Sequence, residues 1–203
     1  GRVFSPVEAP TGAVWAIQND GAFTQWAVVE EGKARAHTRF DRARLKQLAP
    51  SPDGQTVAVL LNVEGTQRIY RAASQSREAF RLRPWLGLED ATIYDVSWGP
   101  EGRYLLFSAD LCGTPNVYVF DTTTRRVRRL SNVPFGAFEP ALSPDRSSVA
   151  FVAYRHERHV LARMPFRPEA ASSVDTSRVV LGTEQPRPPA LRPQARRGRP
   201  YFP

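Results

Sequence analysis

The sequence predicts an all-β protein composed of β-propeller blades, each a four-stranded antiparallel meander. A turn sequence recurs as Ser-Pro-Asp-Gly at 51–54, Gly-Pro-Glu-Gly at 99–102 and Ser-Pro-Asp-Arg at 143–146, with a fainter copy at 9–12. The turn prolines, at positions 10, 52, 100 and 144, are 42, 48 and 44 residues apart, which is the length of one blade. Runs of β-forming residues follow each turn, and no convincing helix interrupts them.

The spacing divides the chain into four repeat units and a tail. The predicted units span about 1–40, 45–87, 93–136 and 137–183, and residues 184–203 form a Pro/Arg-rich linker or tail. Predicted strands cover 14–17, 25–29 and 34–38 in the first unit; 45–49, 56–61, 68–71 and 79–82 in the second; 93–98, 103–108, 117–121 and 125–130 in the third; and 141–142, 148–153, 159–162 and 178–181 in the fourth. Helix formers at Ala43, Leu45 and Leu48 favour at most a short turn of helix within 38–48.

The composition of the strands indicates how the blades pack. Tyr104-Leu105-Leu106-Phe107 is apolar at successive positions, as expected of a strand that is covered on both faces by neighbouring blades. The predicted outer strand at 125–130 is rich in arginine, and charge on an outer edge opposes edge-to-edge association. Pro, Asp and Gly in the repeated turns match the backbone angles of a tight hairpin, which accounts for the recurring acidic residues without a calcium site.

Charge and cysteine content exclude several function classes. The net charge is +8, but residues 184–203 hold five arginines and one glutamate, so half of the excess lies in the tail. We therefore do not favour nucleic acid as a partner, although the tail could serve as a proline-rich ligand instead of a connector. Cys112 is the single cysteine and excludes an internal disulfide. No apolar run is long enough to cross a bilayer.

The sequence contains no recognisable catalytic or cofactor-binding motif. The histidines are His37, His156 and His159, and the last two bracket a loop with no third metal ligand in view. There is no phosphate-binding loop, no dinucleotide fingerprint and no Gly-x-Ser-x-Gly elbow. We expect no enzyme activity, metal or cofactor in this chain.

The third unit resembles the WD-like β-propeller repeat of the TolB family. The resemblance rests on Tyr104-Leu-Leu-Phe-Ser-Ala-Asp110, on Asn116-Val-Tyr-Val-Phe-Asp121 and on the closing Leu130-Ser131, and Leu142-Ser-Pro-Asp145 repeats part of it. It implies an incomplete propeller of the type that closes with about six blades. It also implies a scaffold in the periplasm or cell envelope of a bacterium, whose partner is an envelope protein or the missing blades of the same parent protein. Similar repeats form the substrate-gating propeller of prolyl-oligopeptidase-like peptidases, so an accessory propeller of a larger peptidase is the alternative.

Propeller geometry predicts the binding face. Loops between the second and third strands of each unit share one face with the connectors between units, at 19–24, 63–67, 110–116 and 154–158. The candidate partner-binding residues are Asp110, Asn116, Tyr154, Arg155, His156, Glu157 and Arg158. The 154–158 loop is the most charged of the four, although a solvated loop without a partner is the simpler explanation of that charge.

Overall fold

The computed structural model describes residues 2–9, 12–21, 23–30, 32–40, 43–74, 82–155, 157–182 and 191–192. Within them the strands are β1 (Arg2–Glu8), β2 (Val14–Asp20), β3 (Phe23–Glu30), β4 (Lys33–Phe40), β5 (Ala43–Pro50), β6 (Thr56–Val63), β7 (Thr66–Ala73), β8 (Arg83–Leu88), β9 (Ile93–Trp98), β10 (Tyr104–Ala109), β11 (Asn116–Asp121), β12 (Arg126–Arg129), β13 (Ala137–Leu142), β14 (Ser148–Arg155), β15 (Arg158–Pro165), β16 (Ser172–Ser173), β17 (Val179–Leu181) and β18 (Leu191–Arg192). Two one-turn 3-10 helices cover Pro168–Ala170 and Thr176–Arg178. None of the described residues belongs to a helix long and apolar enough to span a membrane.

The strands form four antiparallel sheets that follow one another around a propeller axis. Sheet 1 has the order β1-β2-β3-β4-β18, sheet 2 β5-β6-β7-β8-β17, sheet 3 β9-β10-β11-β12-β16 and sheet 4 β13-β14-β15. The innermost strands β1, β5, β9 and β13 come first in their sheets, and β5, β9 and β13 each pack against the preceding sheet. The prediction of an all-β propeller is confirmed, whereas the boundaries of the four repeat units stay a prediction.

Two of the repeated turns are held by the same hydrogen-bond network. In the second unit the Ser51 hydroxyl donates to the Asp53 carboxylate and accepts from the Thr56 N–H at 3.0 Å. The fourth unit repeats this network: Ser143 Oγ donates to Asp145 at 2.6 Å and accepts from the Ser148 N–H at 3.1 Å. Asp53 and Asp145 therefore accept from local donors, as turn chemistry predicts, whereas Glu101 of the third turn accepts from Arg146 of the next turn.

Apolar side chains fill the three spaces between successive sheets. Trp15, Trp26 and Leu61 belong to the cluster between sheets 1 and 2, and the two indole rings meet edge to face at 4.9 Å. Equivalent clusters lie between sheets 2 and 3, around Leu60 and Phe107, and between sheets 3 and 4. Successive residues of β10 enter different clusters, which is why this strand is buried throughout.

After β15 the chain turns back along the outer rim. The C-terminal belt, our name for residues 166–182 with 191–192, adds β16 to β12, β17 to β8 and β18 to β4, each antiparallel. The belt thus meets sheets 3, 2 and 1 in that order. The prediction that 178–181 forms the outer strand of the fourth unit is therefore wrong. Val179 and Leu181 instead pack on the cluster between sheets 2 and 3.

Two further sequence expectations change in the structure. The short turn of helix considered within 38–48 is not found among the described residues of this stretch, which belong to β4 and β5. Ala43 and Leu45 are buried with period two, and packing against sheet 1 overrides their helix propensity. The predicted strand at 79–82 lies outside the described residues except for Leu82, and β8 follows it. The predicted tail at 184–203 lies outside them except for β18.

Candidate functional site

The four innermost strands each carry a β-bulge at the same level. Register shifts between Phe4 and Val7 in β1, between Leu45 and Gln47 in β5, opposite Ser108 and Ala109 in β9, and between Phe138 and Ala141 in β13 mark the four bulges. A bulge redirects side chains out of the regular pleat. Here the bulged segments line a cavity of about 520 Å³, which we call the axial cavity; its lining residues are Ser5, Pro6, Val7, Lys46, Gln47, Leu48, Tyr94, Asp95, Val96, Ser97, Glu139 and Pro140.

Gln47 joins sheet 2 to sheet 3 beside this cavity. Its side-chain amide donates to the Val96 carbonyl at 2.9 Å and accepts from the Val96 N–H at 2.9 Å. Trp98 adds a hydrogen bond from its indole N–H to the Ala49 carbonyl at 2.9 Å. Val96 belongs to the innermost strand of sheet 3, which has no further strand beside its inner edge, so the Gln47 bonds satisfy its backbone groups and, with the Trp98 bond, fix the wall of the cavity.

Asp95 performs the same task between sheets 3 and 4. One carboxylate oxygen accepts from the Ser108 N–H at 3.1 Å and the Ser108 hydroxyl at 2.9 Å, and the other accepts from the Glu139 N–H at 2.9 Å. Burial raises the pKa of Asp95, and the nearby Glu139 charge acts in the same direction, whereas the three hydrogen bonds oppose the rise. The cavity wall therefore holds a carboxylate that a nearby cation would stabilise in its charged form.

A second cavity of about 530 Å³, the upper cavity, adjoins the same carboxylates; it is lined by Tyr94, Asp95, Phe138, Glu139, Val152 and His159. Glu139 is exposed and adopts φ +53°, a left-handed conformation that is uncommon for a side chain of this kind. Asp95 and Glu139 give this part of the molecule a negative local charge, opposed by Lys46 in the axial cavity. Among the described residues no group of three or more His, Cys, Asp and Glu is placed to hold a metal ion. The two carboxylates of Asp95 and Glu139 suit a basic side chain or a terminal amine as a ligand.

Asp110 and Asn116, both predicted as binding residues, have internal partners. Asp110 accepts from the Thr92 N–H at 2.6 Å and from the Tyr94 hydroxyl at 2.8 Å, which ties its loop to the connector from sheet 2. Asn116 is 1% exposed; its carbonyl accepts from Ser131 Oγ at 2.8 Å and from the Val133 N–H at 2.9 Å. These bonds place the loop and the connector on one face, and they make both side chains supports of that face.

The remaining predicted residues form the β14–β15 hairpin, which we define as residues 154–158. Arg155 and Arg158 are paired across its tip, Glu157 adopts φ +63°, and His156 lies outside the described residues. The side chains of Arg155, Glu157 and Arg158 are exposed, and none has a hydrogen bond or ion pair to another described residue. Tyr154 packs on His159 with ring centroids 5.3 Å apart, and His159 lines the upper cavity. The structure thus joins the hairpin to the upper cavity.

Sequence reasoning missed the axial residues, although a signal for them exists. The residue five positions before each turn proline is polar in all four units: Ser5, Gln47, Asp95 and Glu139. A polar residue repeated inside an otherwise apolar strand indicates a position where the strand faces a cavity or must satisfy backbone groups.

Comparison with known proteins gives a consistent fold and two functional directions. No protein-family profile matches the chain. The Tol-Pal system protein TolB of Francisella tularensis is 29% identical over 83 residues, which are 41% of this chain and 19% of that protein. The uncharacterized peptidase YuxL of Bacillus subtilis is 34% identical over 67 residues, which are 32% of this chain and 10% of that protein.

Solved structures show the same architecture. The crystal structure of TolB from Acinetobacter baumannii superposes with a TM-score of 0.67 at 18% identity, and covers 90% of this chain and 44% of that one. The chain therefore spans less than half the length of each of these three proteins. The resemblance predicted from the repeats is confirmed.

Proposed function

We propose that this TolB-like β-propeller is a non-catalytic scaffold that binds another protein in the bacterial cell envelope, through the face that carries the β14–β15 hairpin. The observation that carries the proposal is the difference between neighbouring loops on that face. Asp110 and Asn116 are used by the fold, whereas the side chains of Arg155, Glu157 and Arg158 are exposed and have no hydrogen bond or ion pair to another residue that the structure describes. Exposed charge that the fold does not use is available for recognition.

The geometry indicates what the partner presents. Two arginines at the hairpin tip favour carboxylates opposite them, because guanidinium and carboxylate groups pair bidentately. His159 connects the hairpin to the upper cavity, where Asp95 and Glu139 favour a basic group. The proposed partner surface therefore has mixed charge, with acidic residues around a protruding lysine, arginine or amino terminus.

The proposed location in the periplasm or cell envelope rests on the similarity to TolB proteins of the Tol-Pal system. The proposed protein partner lies in the same compartment.

The proposal is tested by capture and then by calorimetry. The full chain is immobilised and exposed to an envelope extract of the source bacterium, and a retained protein is purified and titrated against the free chain. A variant with Arg155→Ala, Glu157→Ala and Arg158→Ala is expected to bind about tenfold more weakly, a loss of about 1.4 kcal/mol. Equal affinity of the variant, or no retained protein, would contradict the proposal.

The matched control changes three exposed residues at the turn between β11 and β12, on the opposite face: Thr123→Ala, Thr124→Ala and Arg126→Ala. The affinity of this control variant for the same partner is expected to stay within about twofold of the wild type, because its three alanine substitutions lie far from the hairpin.

The alternative function is the accessory propeller of a larger peptidase that controls access of substrate to a catalytic domain outside this chain. It is favoured by the 34% identity to peptidase YuxL over 67 residues. Sequencing the gene beyond codon 203 tests it, since a serine-hydrolase domain with a Gly-x-Ser-x-Gly elbow is recognisable at once. An open reading frame that encodes only further propeller repeats would favour the scaffold.

A further inference from the structure

Sheet 4 differs from the other three sheets at its outer edge. Sheets 1, 2 and 3 each have five strands, whereas sheet 4 has three in the part of the chain that the structure describes. Its last strand, β15, pairs with β14 without interruption from Ser148↔Pro165 to Arg155↔Arg158. On the other side of β15 no described strand is paired with it. Its eight residues therefore present an open edge.

The hairpin shows which backbone groups point away from the sheet. Arg155 and Arg158 flank a two-residue turn, so they form the hydrogen-bonded pair that closes it, and the pattern then alternates along the strand. The bond from the Tyr154 N–H to the Gly136 carbonyl, on the β13 side, agrees with this phase. The N–H and C=O groups of His159, Leu161 and Arg163 consequently face the open edge. Pro165 follows in the same phase but has no N–H.

The strand lacks the features that normally protect such an edge. It has no bulge in its pairing with β14, and its one proline is at its end. His159, Leu161 and Arg163 are exposed, and the Leu161 side chain is 81% exposed. A long, regular and partly apolar edge strand is a template for the addition of another strand.

The other three sheets show that an outer edge in this molecule can bind an additional strand. At the outer edges of β12, β8 and β4 the C-terminal belt adds one antiparallel strand of two or three residues. An added strand at the rim is thus compatible with the packing of three of the four sheets. β15 offers a longer edge than any of those three pairings uses.

Charge decides between the occupants. Arg155, Arg158, Arg163 and Arg167 lie along or beside β15, against Glu157 and Glu169. A second copy of the chain would bring the same basic edge against it, and the chain carries a net charge of +8. The chain's own residues 184–203 hold five arginines and one glutamate, so they are disfavoured in the same way. An acidic strand is the complementary occupant.

We propose that the outer edge of β15 binds an extended segment of a partner protein by antiparallel strand addition, and that this segment alternates acidic with apolar residues. The backbone groups of His159, Leu161 and Arg163 supply the ladder. Their side chains share one face of the sheet, where Arg163 contacts the acidic positions, and the apolar positions extend the opposite face beside Val160, Ala162 and Met164. This edge lies along the rim, so it is a binding surface additional to the face of the proposed function.

The test uses a labelled peptide, acetyl-Glu-Val-Glu-Val-Glu-Val-amide, and the full-length chain in fluorescence anisotropy. Saturable binding is expected, and the same peptide with lysine in place of glutamate is expected to bind at least tenfold more weakly. Leu161→Pro removes an outward N–H without removing a bond to β14, and should abolish binding. Leu161→Ala keeps the N–H and should lose only a few-fold, while Arg163→Glu should weaken binding about tenfold.

Hydrogen exchange on the wild-type chain provides a readout that needs no variant. The peptide should protect the amides of His159, Leu161 and Arg163 and leave those of the β11–β12 turn unchanged. Binding that survives in Leu161→Pro, protection at another strand, or a chain that dimerises through β15 instead of binding the peptide would overturn the proposal. The variant with Arg155→Ala, Glu157→Ala and Arg158→Ala separates the two surfaces. Failure of that variant to weaken the envelope partner overturns the proposed function, and leaves the peptide result intact.

Discussion

Tyr118 is the clearest case in this chain of one side chain whose ionisation is set by packing. It is fully buried in the cluster between sheets 2 and 3, where its ring stacks on Phe107 with centroids 5.5 Å apart. Burial raises the pKa of Tyr118 from its usual value of 10.0 to about 12. Burial in an apolar interface destabilises the charged phenolate. Tyr118 therefore stays protonated in the folded protein at pH values where it is deprotonated in the unfolded chain.

This shift predicts a loss of stability in alkaline solution. Below pH 10 the phenol is protonated in both states, whereas from about pH 10 to about 12 only the unfolded chain releases the proton, so unfolding becomes more favourable as the pH rises. Urea denaturation at pH 8, 10 and 11.5 should show a steeper fall for the wild type than for Tyr118→Phe. Parallel curves for the two proteins would mean that Tyr118 titrates normally in the folded state.

At the scale of single elements, the repeated turn allows the cost of a left-handed backbone conformation to be compared with the gain from an ion pair. Gly102 and Arg146 occupy the same position in successive turns, with φ +70° and +57°. Arg146 accepts the left-handed conformation and forms an ion pair with Glu101 of the preceding turn at 2.7 Å. The exposed pair offsets little of the backbone cost, because surface ion pairs are worth about 0–1 kcal/mol.

Glycine should therefore be better than alanine at both positions by about 1 kcal/mol. Gly102→Ala is expected to destabilise the chain by this amount, since an added Cβ has room, 3.9 Å from Pro52 Cδ, and only the backbone conformation is strained. Arg146→Gly should exceed Arg146→Ala in stability by the same amount, because neither variant keeps the ion pair. Thermal unfolding measures the stability difference between glycine and alanine at each position. If both differences are zero, backbone strain is not the reason for glycine in this turn.

The same elements show how far the sequence determines the fold. The turns and the strands β6, β10, β11 and β14 are predictable because proline, glycine and β-branched residues act within a few positions of themselves. The partner of a strand is decided elsewhere. Val179-Val180-Leu181 reads as a strand in any context, but its pairing with β8 depends on an apolar cluster almost a hundred residues away in sequence. The β-propensity of a segment does not indicate which strand it pairs with.

The candidate site was predicted only in part, for a related reason. Loop residues such as Arg155 and Arg158 can be recognised in the sequence because they are charged and the turn itself does not require arginine. Asn116 has the same polar character in the sequence, yet the structure buries it beneath Ser131 and Val133. Whether a polar loop residue faces water or the fold depends on the connector that crosses it, and this connector comes from another part of the chain.

On the scale of the whole molecule, Gly182 tests the attachment of the C-terminal belt. Its backbone lies so close to β8 that an added Cβ would be 1.8 Å from the Pro84 carbonyl oxygen, and its N–H donates to the Trp85 carbonyl at 3.1 Å. Gly182→Ala should therefore displace β17 and destabilise the chain by about 1–3 kcal/mol. Hydrogen exchange of the β8 and β17 amides measures the displacement.

Ser173→Ala is the matched control, because Ser173 is an exposed belt residue whose pairing with Arg128 uses only the backbone. It is expected to leave exchange and stability unchanged. Unchanged exchange in Gly182→Ala as well would show that β17 does not require close approach to β8.

The direction of the belt has a consequence for biosynthesis. A ribosome releases sheets 1, 2 and 3 in that order, but their outermost strands arrive after sheet 4 and in the opposite order, with residues 172–173, 179–181 and then 191–192. Local hairpins form early, and contacts between distant residues form slowly. The outer edges of sheets 1, 2 and 3 therefore stay open until the belt has been synthesised, and during that interval the chain is most dependent on chaperones and most exposed to misassembly with its neighbours.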